Sequence, residues 1–227
     1  MKVLLEKGIK IKLIKYLYSK NLNSVIVPEI GLGGDEFLQI NAMADIVELN
    51  NEITIYEIKS ARDSLARLKH QISHYLKYAN RVFVVIDEKF INKLQIPDQV
   101  GILVVSDNKI IEQRPATSSQ MEVEFYLKHW WSIERRKAFR GFKTGSFANL
   151  SKSKETALHY FSNQQIADLT IARLKQRYKD ESDLIRKLIL EKRYYKLFPH
   201  RDLNPKEMKI EPMVRMSKGK IEFLTKI

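Results

Sequence analysis

Apolar residues at Leu4, Leu5, Ile9, Ile11, Leu13, Ile14 and Leu17 recur at near-helical spacing. They predict a first helix, interrupted at Gly8 and ended by the Asn/Ser turn of residues 21–24. Residues 25–30 form a short β-prone run, and Gly31, Gly33 and Gly34 mark a loop. Residues 43–49 and 53–60 then read as two strands around Asn50 and Asn51. Across 62–80 the positions Leu65, Leu68, Ile72, Tyr75, Leu76 and Ala79 fall at steps of three and four, which is one face of an amphipathic helix. Residues 82–86 and 101–105 are nearly continuous apolar runs, the pattern of strands buried on both faces. Asp107 and Asn108 turn the chain back into residues 109–112. Helices and strands arranged in this way predict an α/β fold, a central mixed sheet flanked by helices.

The β-prone runs stop at residues 114–119, and the helical pattern resumes over 122–139, 162–178 and 182–198. A chain of 227 residues holds one large domain or two small ones. The expectation is two: an α/β domain over 1–115 and a mainly helical domain over 116–227. With no cysteine, disulfide scaffolds, Cys-ligated zinc, iron–sulfur clusters and thiol nucleophiles are excluded. The longest apolar run, 82–86, falls far short of the ~18 residues a spanning helix needs. Lysines at 7, 10, 12 and 15 break the start, so no signal-peptide core is present. These features predict a cytoplasmic protein with no membrane partner. Charge separates the two halves: residues 1–115 carry 16 Lys and Arg against 14 Asp and Glu, whereas residues 116–227 carry 24 against 13. A basic second half predicts that it grips a polyanion.

The chemistry concentrates in Ala44-Asp45-Ile46-Val47 and Tyr56-Glu57-Ile58-Lys59. Two carboxylates at a strand edge can hold a hard divalent cation, with water and phosphate completing its shell. Lys59 is two residues from Glu57 and so projects from the same face of a strand. From there an ammonium can orient a water and stabilise charge building on phosphorus. Register decides whether the acids meet. A two-residue loop would set Asp45 opposite Tyr56 and turn Glu57 to the other face. A three-residue loop, Asn50-Asn51-Glu52, pairs Leu49 with Ile53, Val47 with Ile55 and Asp45 with Glu57, and this odd register is the one expected.

Asp45, Glu57-Ile58-Lys59 and the following Gln71-x-x-x-Tyr75 resemble the PD-(D/E)XK nuclease superfamily, in its RecB-like branch with a Q-x-x-x-Y helix. The resemblance covers about the first 115 residues, and Ala44 stands where that pattern has proline. It implies a restriction-endonuclease-like core in residues 1–115. It also implies Asp45 and Glu57 as metal ligands, with the Ile58 carbonyl beside them and Lys59 as the catalytic lysine. Glu29 would be an accessory acid, with Asp35 and Glu36 as competitors for that role. Gln71 and Tyr75 would face the site and the nucleic-acid backbone. The implied cofactor is Mg²⁺ or Mn²⁺, and the implied activity is a metal-dependent deoxyribonuclease, with DNA favoured over RNA. A catalytically inactive nucleic-acid-binding or regulatory protein and a branched-DNA resolvase are the alternatives.

Other residues enlarge the candidate surface. Ser60 and Arg62 follow the Glu-x-Lys strand near a helix start, where amides and a cation can meet phosphate. Arg135, Arg136, Lys137 and Arg140 lie beside Trp130 and Trp131, a mixture suited to base stacking and phosphate contact. Tryptophans at this place could equally pack the second half against the first. Arg173, Lys175, Arg177 and Lys179 extend a positive stripe along the 162–178 segment, continued by Arg186, Lys187, Lys192, Arg193 and Lys196. His70 and His74 are four residues apart, but the pair lacks the glutamate of a zincin.

Overall fold

The computed structural model describes residues 5–32, 42–106, 109–139, 142, 149–198 and 212–224. The expectations placed on Gly33, Gly34, Asp35, Glu36, Asp107, Asn108 and Arg140 lie outside the described residues. The chain is α/β, with a central six-stranded mixed sheet flanked by helices and a C-terminal helical region. The strands are β1 (Val25–Leu32), β2 (Ala42–Leu49), β3 (Ile53–Lys59), β4 (Arg81–Asp87), β5 (Gly101–Ser106) and β6 (Lys109–Arg114), and their spatial order follows the chain. The first three form an antiparallel meander, β3, β4 and β5 run parallel, and β6 returns antiparallel.

Helices cover both faces, which is why β3 is buried along its whole length and why β4 and β5 read as continuous apolar runs. On one face Ile53, Ile55, Val82 and Val84 pack with Ile72 and Tyr75 of α2 (Leu68–Tyr78) and with Tyr126 and Leu127 of α3 (Val123–Lys128). Phe139, at the end of α4 (Ser132–Ala138), and Ala157 of α5 (Leu150–Tyr160) join that cluster. So do Leu169 and Leu174 of α6 (Asn163–Leu190). On the other face Ile46, Tyr56, Ile58 and Val85 pack with Ile9, Leu13 and Ile14 of α1 (Glu6–Lys20) and with Ile185 and Leu188 of α6. The core therefore runs without a break across residue 115, where the composition changes.

The single helix α6 serves both layers. Its 28 residues make a rod about 42 Å long that passes the edge strand β1. At the crossing Ser182 Oγ accepts from the Ile26 amide at 3.0 Å, and the Tyr18 hydroxyl lies 3.1 Å from the Ser182 carbonyl. A helix thereby shields an edge that would otherwise offer unpaired backbone groups.

The predicted elements differ from the observed ones in six places. Gly8 does not interrupt α1, and Gly31 lies inside β1. The helix expected from residue 62 begins at Leu68, because Asp63 Oδ2 takes the Ser60 amide at 2.6 Å and the Ser60 hydroxyl at 2.7 Å. Such local side-chain bonds offer the backbone an alternative to helix. The segment 122–139 is two helices, since Glu134 reaches back to the Trp131 amide at 2.8 Å and starts α4 afresh. Segments 162–178 and 182–198 are largely one helix, whose apolar stripe changes face as the helix passes from one layer to the other. Finally, a hairpin of β7 (Val214–Ser217) and β8 (Lys220–Phe223) follows the helices; its turn, Lys218-Gly219, has positive φ at both residues, as a tight hairpin requires.

No helix among the described residues is long and apolar enough to cross a membrane.

Candidate active site

The hairpin joining β2 and β3 has the odd register: Leu49 pairs with Ile53 and Val47 with Ile55 across a three-residue loop. The pairing ends at Ile46 and Tyr56, one step before Asp45 and Glu57. At that point the Asp45 side chain takes over from the backbone. Asp45 Oδ2 accepts the Ile58 amide at 2.8 Å and ties β2 to β3 beyond their last backbone pair.

Glu57 and Lys59 lie near the C-terminal end of a strand that is central in the sheet, and both are buried, at 2% and 8% exposure. Lys59 Nζ donates to Glu57 Oε1 at 2.6 Å and to Gln71 Oε1 at 3.0 Å. The Tyr75 hydroxyl lies 2.7 Å from Glu57 Oε2 and 2.8 Å from the Met43 carbonyl, so one proton serves two acceptors. Gln71 and Tyr75 are one helical turn apart and present their polar ends to the same strand end. The α2 helix thus supplies the pocket wall while Ile72 anchors it in the core.

Two carboxylates, Asp45 and Glu57, meet two ammonium groups, Lys10 and Lys59, at this site. Burial, reinforced by the neighbouring Glu57 carboxylate, pushes the Asp45 carboxyl up to about 6, against the opposing pull of Lys10 and the Ile58 amide. Burial and Glu57 also hold the Tyr75 phenol well above its usual range, so it acts as a hydrogen-bond donor. Among the described residues, no three His, Asp or Glu side chains gather as a metal-holding group. Two hard carboxylates with an adjacent carbonyl nevertheless fit Mg²⁺, which usually takes one or two carboxylates and keeps waters and substrate oxygens for the rest. The donor set to be tested is therefore Asp45, Glu57 and the Ile58 carbonyl.

The other candidates fare differently. Glu29 meets Asp45 through a shared cation: its carboxylate lies 3.0 Å from Lys10 Nζ, which is 3.1 Å from Asp45 Oδ1. Ser60 spends its amide and hydroxyl on Asp63, which removes it as a phosphate contact, whereas Arg62 is exposed on the same turn. Arg135 is 1% exposed and donates to the carbonyls of Leu127 and Trp130, so its guanidinium closes the α3–α4 turn and does not reach a ligand. Arg136 and Lys137 are exposed. Trp130 is buried and donates to the Thr170 hydroxyl at 2.8 Å, in keeping with a packing role. The positive stripe loses two members. Arg173 and Arg177 turn inward onto buried Glu134, and Arg177 also stacks on Trp131 at 4.1 Å. Of the histidine pair, His70 is exposed while His74 stacks on Tyr78.

Lys10 is the residue that motif reading passed over. Its Nζ lies 3.1 Å from Asp45 Oδ1, with the carboxylates of Glu6 and Glu29 beside it. The signal was present, because Lys10 shares a helical face with Leu13, Ile14 and Leu17, a cation in an apolar stripe.

A family model described as Bacteriophage P4 protein cII matches residues 1–197. Protein cII of Enterobacteria phage P4 is 25% identical over 192 residues, covering 80% of this chain and 70% of that protein. Among solved structures, a protein of unknown function from Silicibacter pomeroyi aligns with a TM-score of 0.41 and 21% identity, over 68% of this chain and 92% of that one.

Proposed function

The chain belongs to the bacteriophage P4 protein cII family, and from its pocket we propose a metal-dependent nuclease that hydrolyses phosphodiester bonds in DNA. The relative's name states no activity, so the proposal rests on the pocket. The observation that carries it is the meeting of Asp45, Glu57, Lys59, Gln71 and Tyr75 at one strand end, where Lys59 lies 2.6 Å from Glu57 and 3.0 Å from Gln71. That set, on a mixed sheet with a Q-x-x-x-Y helix, matches the PD-(D/E)XK pattern at each functional position except the leading proline.

In this reading Asp45, Glu57 and the Ile58 carbonyl hold Mg²⁺ or Mn²⁺. When bound, such an ion neutralises phosphate charge and lowers the pKa of a coordinated water. Lys59 aims its ammonium at the attacking water and at the charge that develops on phosphorus. Gln71 fixes the Lys59 side chain, and Tyr75 fixes Glu57, so neither has to reorganise when substrate arrives. Exposed Arg62, Arg136 and Lys137 contact the nucleic-acid backbone as point charges. A cytoplasmic location accompanies the proposal.

A second reading is favoured by one observation. All four oxygens of Asp45 and Glu57 already have protein partners, as expected of a nucleic-acid-binding protein that no longer cleaves. Incubation with single- and double-stranded DNA and RNA, in Mg²⁺, in Mn²⁺ and in chelator, separates the two. The nuclease reading expects metal-dependent cleavage of at least one DNA form and none in chelator. Binding without cleavage in every metal condition would support the second reading.

A further inference from the structure

The pocket contains a cation that belongs to the chain itself. Lys10 is 4% exposed, and its Nζ lies 2.7 Å from Glu6 Oε1, 3.0 Å from Glu29 Oε1 and 3.1 Å from Asp45 Oδ1. An ammonium has three donors, and here each has a carboxylate oxygen, from α1, β1 and β2 respectively. Burying an ammonium costs several kcal/mol unless its partners need it, and the neighbouring positions on α1, Ile9, Leu13 and Ile14, are apolar. Packing alone would place another aliphatic side chain at this position.

Two further features show that the arrangement is held in place. The α1 helix packs on the opposite face of the sheet from α2, so Lys10 reaches Asp45 from the other layer. The flanking pairs Pro28–Ile46 and Ile30–Ala44 set Glu29 level with Asp45. There the Glu29 backbone takes φ 54°, a left-handed conformation that costs a non-glycine residue about 1 kcal/mol or more. A strained residue whose side chain holds a buried ammonium marks a position the surrounding structure fixes.

We propose that Lys10 is a resident counter-ion that holds Asp45 Oδ1 in the metal-free protein and yields that oxygen when a divalent cation binds, so that the N-terminal helix sets the metal affinity of the pocket. The proposal rests on the reading of Asp45 and Glu57 as metal ligands. Asp45 Oδ2 is taken by the Ile58 amide, so an ion that uses Asp45 has to compete with Lys10 for Oδ1. Glu6 and Glu29 have half-exposed side chains and remain as partners for the displaced ammonium. Removing the positive charge eliminates both the competition and the like-charge repulsion.

The test is Mn²⁺ titration of the full chain, with free Mn²⁺ read by electron paramagnetic resonance, on wild type, Lys10→Met, Lys10→Gln, Lys10→Arg and Asp45→Asn. Lys10→Met and Lys10→Gln are expected to bind Mn²⁺ about tenfold more tightly than wild type, the scale on which residues around metal ligands act. They should also melt at a lower temperature without metal and gain more from it. Lys10→Arg should stay near wild type, and Asp45→Asn should abolish binding. Lys10→Gln keeps a hydrogen-bond donor and carries the test if Lys10→Met does not fold. Unchanged affinity in the uncharged variants, with binding still lost in Asp45→Asn, overturns the counter-ion role and leaves the metal site standing. Binding that is missing in every protein, or that survives Asp45→Asn, removes the metal site and the proposal together.

Discussion

Glu57 is a buried carboxylate with both oxygens occupied, one by the ammonium of Lys59 and one by the phenol of Tyr75. At the residue scale this is what allows two acids to coexist in a desolvated pocket. It also explains why the site was legible in sequence. Glu57 and Lys59 keep the period of a strand, and Gln71 and Tyr75 keep the period of a helix, so spacing alone puts each pair on one face. Lys10 escaped because, beyond Glu6 one helical turn away, its partners Glu29 and Asp45 come from two strands that no spacing connects to it. Arg173 and Arg177 were misread for the same reason: their counter-ion, Glu134, lies about forty residues earlier on another helix. Glu134 is fully buried between them, and removing it strands two guanidinium groups. Glu134→Ala is expected to cost on the order of 3–5 kcal/mol, the usual penalty for breaking a buried ion pair. Urea denaturation measures it, and a loss below about 1 kcal/mol would contradict the inward role of these arginines.

Among the elements, the β2–β3 hairpin and the α3–α4 break matter most. The hairpin register was readable because only the odd register brings Asp45 level with Glu57, and the three-residue loop supplies it. The boundaries of α2 and α6 were not readable from hydrophobic period. Asp63 and Ser60 compete locally for the first, and a change of packing layer shifts the apolar stripe of the second. His129 sits in the break between α3 and α4, with a ring nitrogen 2.8 Å from the Tyr78 carbonyl. Burial, aided by the nearby Arg177, pulls this imidazole down to about 4. Its ordinary value is near 6.5, so between those limits the unfolded chain binds the extra proton and stability is lost as pH falls. Asp45, raised to about 6, works in the opposite sense over much of the same range, because there the folded state holds the proton. Comparing wild type with His129→Gln separates the two. From pH 7 to pH 5 the stability difference between the proteins should move by about 2 kcal/mol against wild type. Parallel pH profiles from urea midpoints would show that His129 titrates normally.

On the scale of the whole molecule, the positive excess of residues 116–227 and the shared core are separate facts. Residues beyond 115 complete both helical layers over the sheet, so their apolar faces are structural. Charge composition could not reveal this, because a buried arginine and a solvated one count alike. The fold class followed from continuous apolar strands and amphipathic helices, whereas the closing hairpin left no signal above its short strands. What the fold achieves is to bring the middle of β2, the end of β3, the inner face of α2 and one side chain of α1 to a common point. The most direct test of the account is the rate of DNA cleavage in Mg²⁺ by Lys59→Ala beside wild type. A fall of about a hundredfold or more, with DNA binding retained, is the expected result for loss of a group that acts on the developing charge. A Lys59→Ala protein that cleaves as fast as wild type would contradict it.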